Sequence, residues 1–221
     1  MLNVVSNFAN RSESEGIFVT WEEIRICKDS GVEIANHSAN HSNEREQIIH
    51  GKEEICAHLG CSGAIGFASP NSALYKGNLP LYQDLIDSNC IKYIRSGNQV
   101  KRDGKLHILL YLLYKFTKSK KVFFWYNKRN FLPLNSGLPT ILPSITSSSD
   151  NSLEHIIYCI EKMPDHSAAI INFHCILKSV NEGVDVGKWF NDTDEFDQLC
   201  AYLSKKEGLS VITNEELLEL I

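Results

Sequence analysis

An α/β fold built on a largely parallel sheet is what this sequence predicts. Three observations point there. Strand-like and helix-like stretches alternate along most of the chain. Two helix-like stretches open on capping boxes, Thr20 to Glu23 and Thr213 to Glu216. Gly31 and Gly60 stand where two helices must stop, and a helix commonly ends on a left-handed glycine. With 221 residues, 43% of them hydrophobic, a single domain spanning 1–221 is the simplest organisation.

The elements follow in order. From Thr20 a helix runs through Ile24, Ile26 and Cys27 to Ser30. Val32 to Ala35 reads as a short strand, and Asn43 can cap a helix that reaches about Leu59. Ala64 to Ala68 is the next strand, Leu79 to Ser88 a helix, and Ile91 to Ile94 a strand. Leu106 to Leu113 and Val122 to Tyr126 are apolar enough for two strands, although the first also fits a helix. Phe131 to Asp150 holds Pro133, Pro139, Pro143 and many serines, and reads as loop. Leu153 to Met163 is helical, and Ala168 to Phe173 is a buried strand ending at His174. A helix from Asp194 to Lys206, a strand from Leu209 to Ile212 and the helix begun at Thr213 complete the chain.

Composition excludes several classes. The net charge is -5 and the pI about 5.9, with no global basic bias of the kind nucleic-acid binders carry. The densest basic run, Lys115 to Lys121, reads as a solvated turn ahead of Val122 to Tyr126. No segment reaches the roughly 18 apolar residues of a membrane span. Residues Met1 to Asn10 lack the basic and apolar regions of a signal peptide, which as written places the chain in the cytoplasm. Seven cysteines, an odd number with no Cys-x-x-Cys pair, fit reduced thiols. Cys56, His58 and Cys61 could be metal ligands, but a helix end with small buried thiols explains them as well.

In a parallel α/β fold, chemistry collects where strands end. That rule selects Asn36-His37, Ser69-Pro70-Asn71, Arg95-Ser96 and His174. The sharpest of these is His37-Ser38-Ala39-Asn40-His41-Ser42. Two histidines four apart converge on one side of a helical turn and can offer two imidazole nitrogens to one divalent ion. Such an ion polarises a carbonyl and acidifies a bound water. Two polar histidines in a solvated loop are the plain alternative.

The stretch Phe18 to Ile24, followed by Asp29-Ser30-Gly31-Val32-Glu33-Ile34-Ala35-Asn36-His37-Ser38-Ala39-Asn40-His41-Ser42, resembles polysaccharide deacetylases of the NodB-homology type. Gly66 to Asn71 is similar to that family's strand-end segment with an aromatic residue and a proline. Ile91 to Ser96 resembles its later strand, Ile170 to His174 its last catalytic segment, and Phe196 to Leu217 its closing helix, strand and helix.

The resemblance implies an incomplete (β/α) barrel. It implies Zn²⁺ or another divalent transition metal on His37 and His41. It makes His174 the acid that protonates the leaving amine, and it sets Pro70 and Arg95 along the substrate groove. The implied activity is metal-dependent removal of N-acetyl groups from a polysaccharide or glycan precursor.

Members of that family begin with a strand ending in Asp-Asp, one a base and the other the third metal ligand. No adjacent Asp pair occurs here, and Leu2 to Phe8 look like the strand that follows. The chain therefore reads as starting one strand late. Three explanations stay open: a start placed too far downstream, a catalytically inactive relative that binds glycan or a partner, or another carboxylate such as Asp185 or Asp192 in place of the pair. Many relatives are exported, so a missing leader would make this chain exported or envelope-associated.

Overall fold

The computed structural model describes residues 1–9, 18–72, 79–97, 105–134, 137, 140–149, 151–178 and 190–221. The chain packs as two compact units. One comprises Met1–Ser96, Gly137–Leu142 and Ile212–Ile221; the other comprises Gly97–Ser136 and Pro143–Val211.

The first unit is built on four parallel strands in spatial order: β1 (Leu2–Val4), β2 (Ile34–Asn36), β3 (Ile65–Ala68) and β4 (Ile91–Ser96). Between them run α1 (Ser6–Ala9), α2 (Trp21–Asp29), α3 (Arg45–Leu59) and α4 (Leu79–Asp87). Strand-helix-strand connections of this kind are what parallel pairing requires. Alternation sorts the side chains into two sets. Leu2, Val4, Ile34 and Ile65 pack with Ile24 of α2 and with Ile55 and Leu59 of α3. Phe67 meets Tyr82 of α4, ring centroids 5.8 Å apart. Each such buried apolar side chain contributes about 1.5–3 kcal/mol.

The opposite face of the same strands carries Asn3, Ala35, Gly66, Ala68, Tyr93 and Arg95. Gly66 is required there, because the Tyr93 ring occupies the place of any side chain at that position. The Tyr93 hydroxyl donates to Glu33, whose other oxygen accepts the Asn214 N–H at 2.7 Å. Burial, reinforced by Glu33, pushes the Tyr93 phenol far above its ordinary range, so it stays a neutral donor. These bonds fasten the C-terminal helix (Asn214–Leu220), aided by an ion pair of 2.7 Å between Lys92 and Glu215.

Both predicted capping boxes form: Thr20 caps α2 with Glu23, and Thr213 caps the C-terminal helix with Glu216. The backbone N–H and then the hydroxyl of each threonine hold the glutamate carboxyl below its ordinary range. A carboxyl lowered on folding adds stability above the ordinary glutamate value and loses it as pH falls through the lowered one. We therefore expect the acid arm of the stability profile to flatten in Glu23→Gln and Glu216→Gln, measured as urea midpoints from pH 6 down to about pH 3. An unchanged acid arm would show that neither cap is held in solution.

The second unit contains α5 (Lys105–Thr117), α6 (Lys120–Asn127), α7 (Leu153–Glu161) and α8 (Thr193–Lys205). Its strands are β5 (Leu132–Pro133), β6 (Ile141–Thr146), β7 (Ser167–Ala168), β8 (Ile170–Asn172), β9 (Cys175–Leu177) and β10 (Phe190–Asp192). Residues 144–146 of β6 pair in parallel with β8, and β9 pairs in parallel with β10. The first residues of β6 belong to the other unit, where the Ile94 N–H donates to the Thr140 carbonyl at 2.8 Å. The core of the second unit gathers Tyr114, Phe123, Phe131, Ile145, Ile156 and Leu199.

The mixed α/β class with parallel strands is as the sequence predicts. Four local expectations are corrected. Leu106 to Leu113 takes the helical of its two readings, in α5, while Val122 to Tyr126 lies in α6 rather than in a strand, where aromatic pairs between the helices (Tyr114–Phe123, 5.1 Å) override strand propensity. Phe131 to Asp150 is not all loop: β5 and β6 lie in it, Pro143 inside β6 having misled the reading. Leu209 to Ile212 is not a strand; Val211 is 74% exposed, and among the described residues no strand pairs with it. Glu44, without a side-chain bond, holds the N-cap position of α3 expected for Asn43.

Candidate metal centre

The site is built at the end of β2. Asn36 is fully buried and turned toward α3: its Nδ2 donates to the Ile48 carbonyl at 2.7 Å. Its Oδ1 accepts the Ser38 N–H at 2.8 Å, drawing the chain into a tight bend. His37 between them therefore faces the other way, on the side of Ala68 and Arg95. Ser38 Oγ then accepts the Ser42 N–H at 2.9 Å, closing the loop.

Ser38 (φ 64) and His41 (φ 62) both adopt left-handed backbone. Such positions are uncommon for residues other than glycine and cost of order 1–3 kcal/mol each where strained. The two histidines thus converge through a strained loop rather than the helical turn expected from their spacing. Their ring centroids are 4.8 Å apart at an interplanar angle of 74°. Both rings are half-buried.

His37 Nδ1 lies 2.7 Å from the Ala68 carbonyl oxygen. A carbonyl only accepts, so it is Nδ1 that carries a proton and donates to it. Anchoring one ring nitrogen on a backbone carbonyl is the usual way a ligating imidazole is oriented. The two imidazoles are candidate ligands for a divalent ion. Among the described residues, no group of three or more His, Cys, Asp or Glu is placed to hold one. Asp192 caps α8 in the second unit, accepting the Asp194 N–H at 2.8 Å, and Asp185 lies outside the described residues.

Pro70 is buried and opens a short turn. Its carbonyl accepts from Asn43 Nδ2 at 3.1 Å, while Asn43 Oδ1 accepts from the Tyr82 hydroxyl at 2.8 Å and from Ser69 Oγ at 3.2 Å. Asn43 and Asn36 therefore lock the histidine loop to the neighbouring strand and helix. Sequence reasoning gave neither asparagine this role. The available clue was their placement, one residue before and two residues after the His-x-x-x-His segment.

Arg95 is 4% exposed, and its Nε has no hydrogen-bond partner. Burial lowers its pKa to about 10, partly opposed by Tyr93, so it remains a cation at neutral pH. Ala68 stands in register with Arg95, and His37 bonds to Ala68. One row of the sheet thus runs from the imidazole to the guanidinium bearer, roughly 9–10 Å across two strand spacings. Asn3 Oδ1, also buried without a partner, belongs to the same face.

His174 follows β8 in the second unit and is exposed; His37, His41, Pro70 and Arg95 all belong to the first. The Cys56, His58, Cys61 group does not converge on an ion: the His58 ring is stacked on Trp21 at 4.2 Å. Burial, and then the Cys61 thiol, push Cys56 up to about 11, the behaviour of an inert thiol.

Fold and site together define an α/β protein of parallel strands, with a candidate two-histidine metal site at a strand end. No protein-family model, no curated protein and no solved structure matches the chain.

Proposed function

We propose that the chain is of the polysaccharide deacetylase type and that it removes N-acetyl groups from a glycan with the help of a divalent ion held by His37 and His41. The convergence of the two imidazoles at the end of β2, with His37 Nδ1 held by the Ala68 carbonyl, carries this reading. The parallel strands alternating with helices are compatible with the incomplete (β/α) barrel of that family.

When bound, the ion supplies electrostatic polarisation of the acetamide carbonyl and of a water. The chain's own residues do the positioning. The Ala68 carbonyl holds the His37 ring by Nδ1, and Asn36 and Asn43 hold the loop against reorganisation. Arg95, a buried cation on the same face as His37, offers a fixed positive charge where negative charge develops or where the acetate leaves. Pro70 shapes the backbone beside it. The proton-donor role of His174 rests on the family likeness alone.

Purified protein should bind zinc stoichiometrically, and His37→Ala or His41→Ala should weaken it at least about 100-fold. With metal present, acetate should be released from N-acetylglucosamine oligomers and lost in His41→Ala. Zinc and glycan binding without acetate release would instead favour the inactive, glycan-binding alternative. Zinc binding unchanged by both substitutions would end the metal reading.

A further inference from the structure

The acidic chain contains one region of opposite character. From Gly104 to Ser149 the sequence has seven Lys and Arg and no Asp or Glu, against a net charge of -5 for the whole chain. Within it lie α5 and α6, joined by a turn at Lys118, where φ is 51°.

The hairpin is pinned along a narrow edge. Tyr114 and Phe123 are buried against His155 of α7. His155 Nε2 donates to the Lys118 carbonyl at 2.8 Å. Most of the other described side chains of α5 are exposed and apolar. Leu106, Ile108 and Leu109 are each 60% exposed, Leu112 is 57% exposed and Phe116 is 91% exposed. Trp125 of α6 is 56% exposed, with Lys128 Nζ 4.7 Å from its ring centre. Exposed cations rim this surface: Lys118, Lys120, Lys121, Lys128 and Arg129.

An apolar helical stripe with an interfacial tryptophan and a rim of lysines is the composition of an element that lies in a membrane surface. Lysine stems follow the apolar layer while their ammonium groups reach the headgroups. The local charge is complementary to anionic lipid, although the whole chain is acidic. Among the described residues no helix is long and apolar enough to cross a membrane. We propose that the α5–α6 hairpin docks the protein on an anionic lipid bilayer, with the Leu106-to-Phe116 stripe and Trp125 in the interface and the lysines on the headgroups.

The test is flotation of the full chain with vesicles of phosphatidylcholine alone or with roughly one third phosphatidylglycerol. Binding to the anionic vesicles should be at least about tenfold stronger and should weaken as salt is raised. Brominated acyl chains should quench tryptophan fluorescence, and Trp125→Phe should abolish that quenching. Leu112→Ser with Phe116→Ser should lose vesicle binding. Lys118→Glu with Lys120→Glu and Lys121→Glu should lose the lipid preference. All these side chains are exposed or in the turn, so far-UV circular dichroism should be unchanged. No flotation, or equal flotation with both lipids, would overturn the proposal. So would a concentration-dependent dimer that is lost in the Leu112, Phe116 variant, which would assign the stripe to a second copy.

Discussion

Gly51→Ala should lose about 3 kcal/mol of stability although it places alanine, the best helix former, inside a helix. On an open helix face this change is favourable by about 1 kcal/mol. At Gly51 the added methyl would stand 2.6 Å from Asn36 Oδ1, 2.7 Å from the Ser38 carbonyl carbon and 2.8 Å from the Ala39 nitrogen. Two of those atoms are backbone and cannot swing aside. The third belongs to the side chain that fixes the bend at Ser38, through the bonds Asn36 makes to Ile48 and Ser38. Either α3 moves away from the sheet or the loop carrying His37 and His41 shifts.

The second consequence is functional. Zinc affinity should fall in Gly51→Ala although both histidines are intact, because convergence of the rings depends on that loop. The urea midpoint and zinc titration read the two effects separately. A variant as stable as the parent, with unaltered zinc affinity, would show that α3 does not press on the loop in solution.

What the sequence made legible follows from how local each cause is. The two capping boxes, the strands around His37 and Phe67 and the left-handed Gly60 at the end of α3 are written in adjacent residues, and they form as expected. The histidine pair was legible as a spacing, but its geometry was not. A His-x-x-x-His segment reads as helix unless Asn36 is known to be buried and to capture the Ser38 N–H, which depends on α3 arriving from later in the chain. The second unit was harder for a related reason. The apolar residues of α5 show neither a strict period of two nor a clean helical stripe, because most of them face outward and only Tyr114 is buried. A pattern read on the premise that apolar means inward fails there. Pro143 misled in the opposite direction, since a strand can pass through proline where its N–H is not needed.

Replacing Arg95 by methionine should stabilise the chain by about 1–3 kcal/mol while removing a group the proposed reaction uses. Taking a guanidinium out of water is unfavourable unless its charge and its donors are matched. Arg95 is 4% exposed, its Nε has no acceptor, and no carboxylate pairs with it among the described residues. The same imbalance lowers its pKa to about 10. Below that value the folded and unfolded chains both hold the proton, so the whole penalty is present at neutral pH. It diminishes only as pH rises from about 10 toward the ordinary arginine value, where the folded chain releases the proton first. Methionine keeps most of the length and packing of the side chain without the charge. If Arg95 is retained for binding an anionic group on the His37 face, the variant should be more stable to urea at pH 7 and should bind acetate and glycan more weakly. A lower midpoint would mean that the guanidinium has a counter-charge in solution, and its place would then be structural. A higher midpoint with unchanged ligand binding would remove Arg95 from the site and leave the histidine pair to carry the function without it.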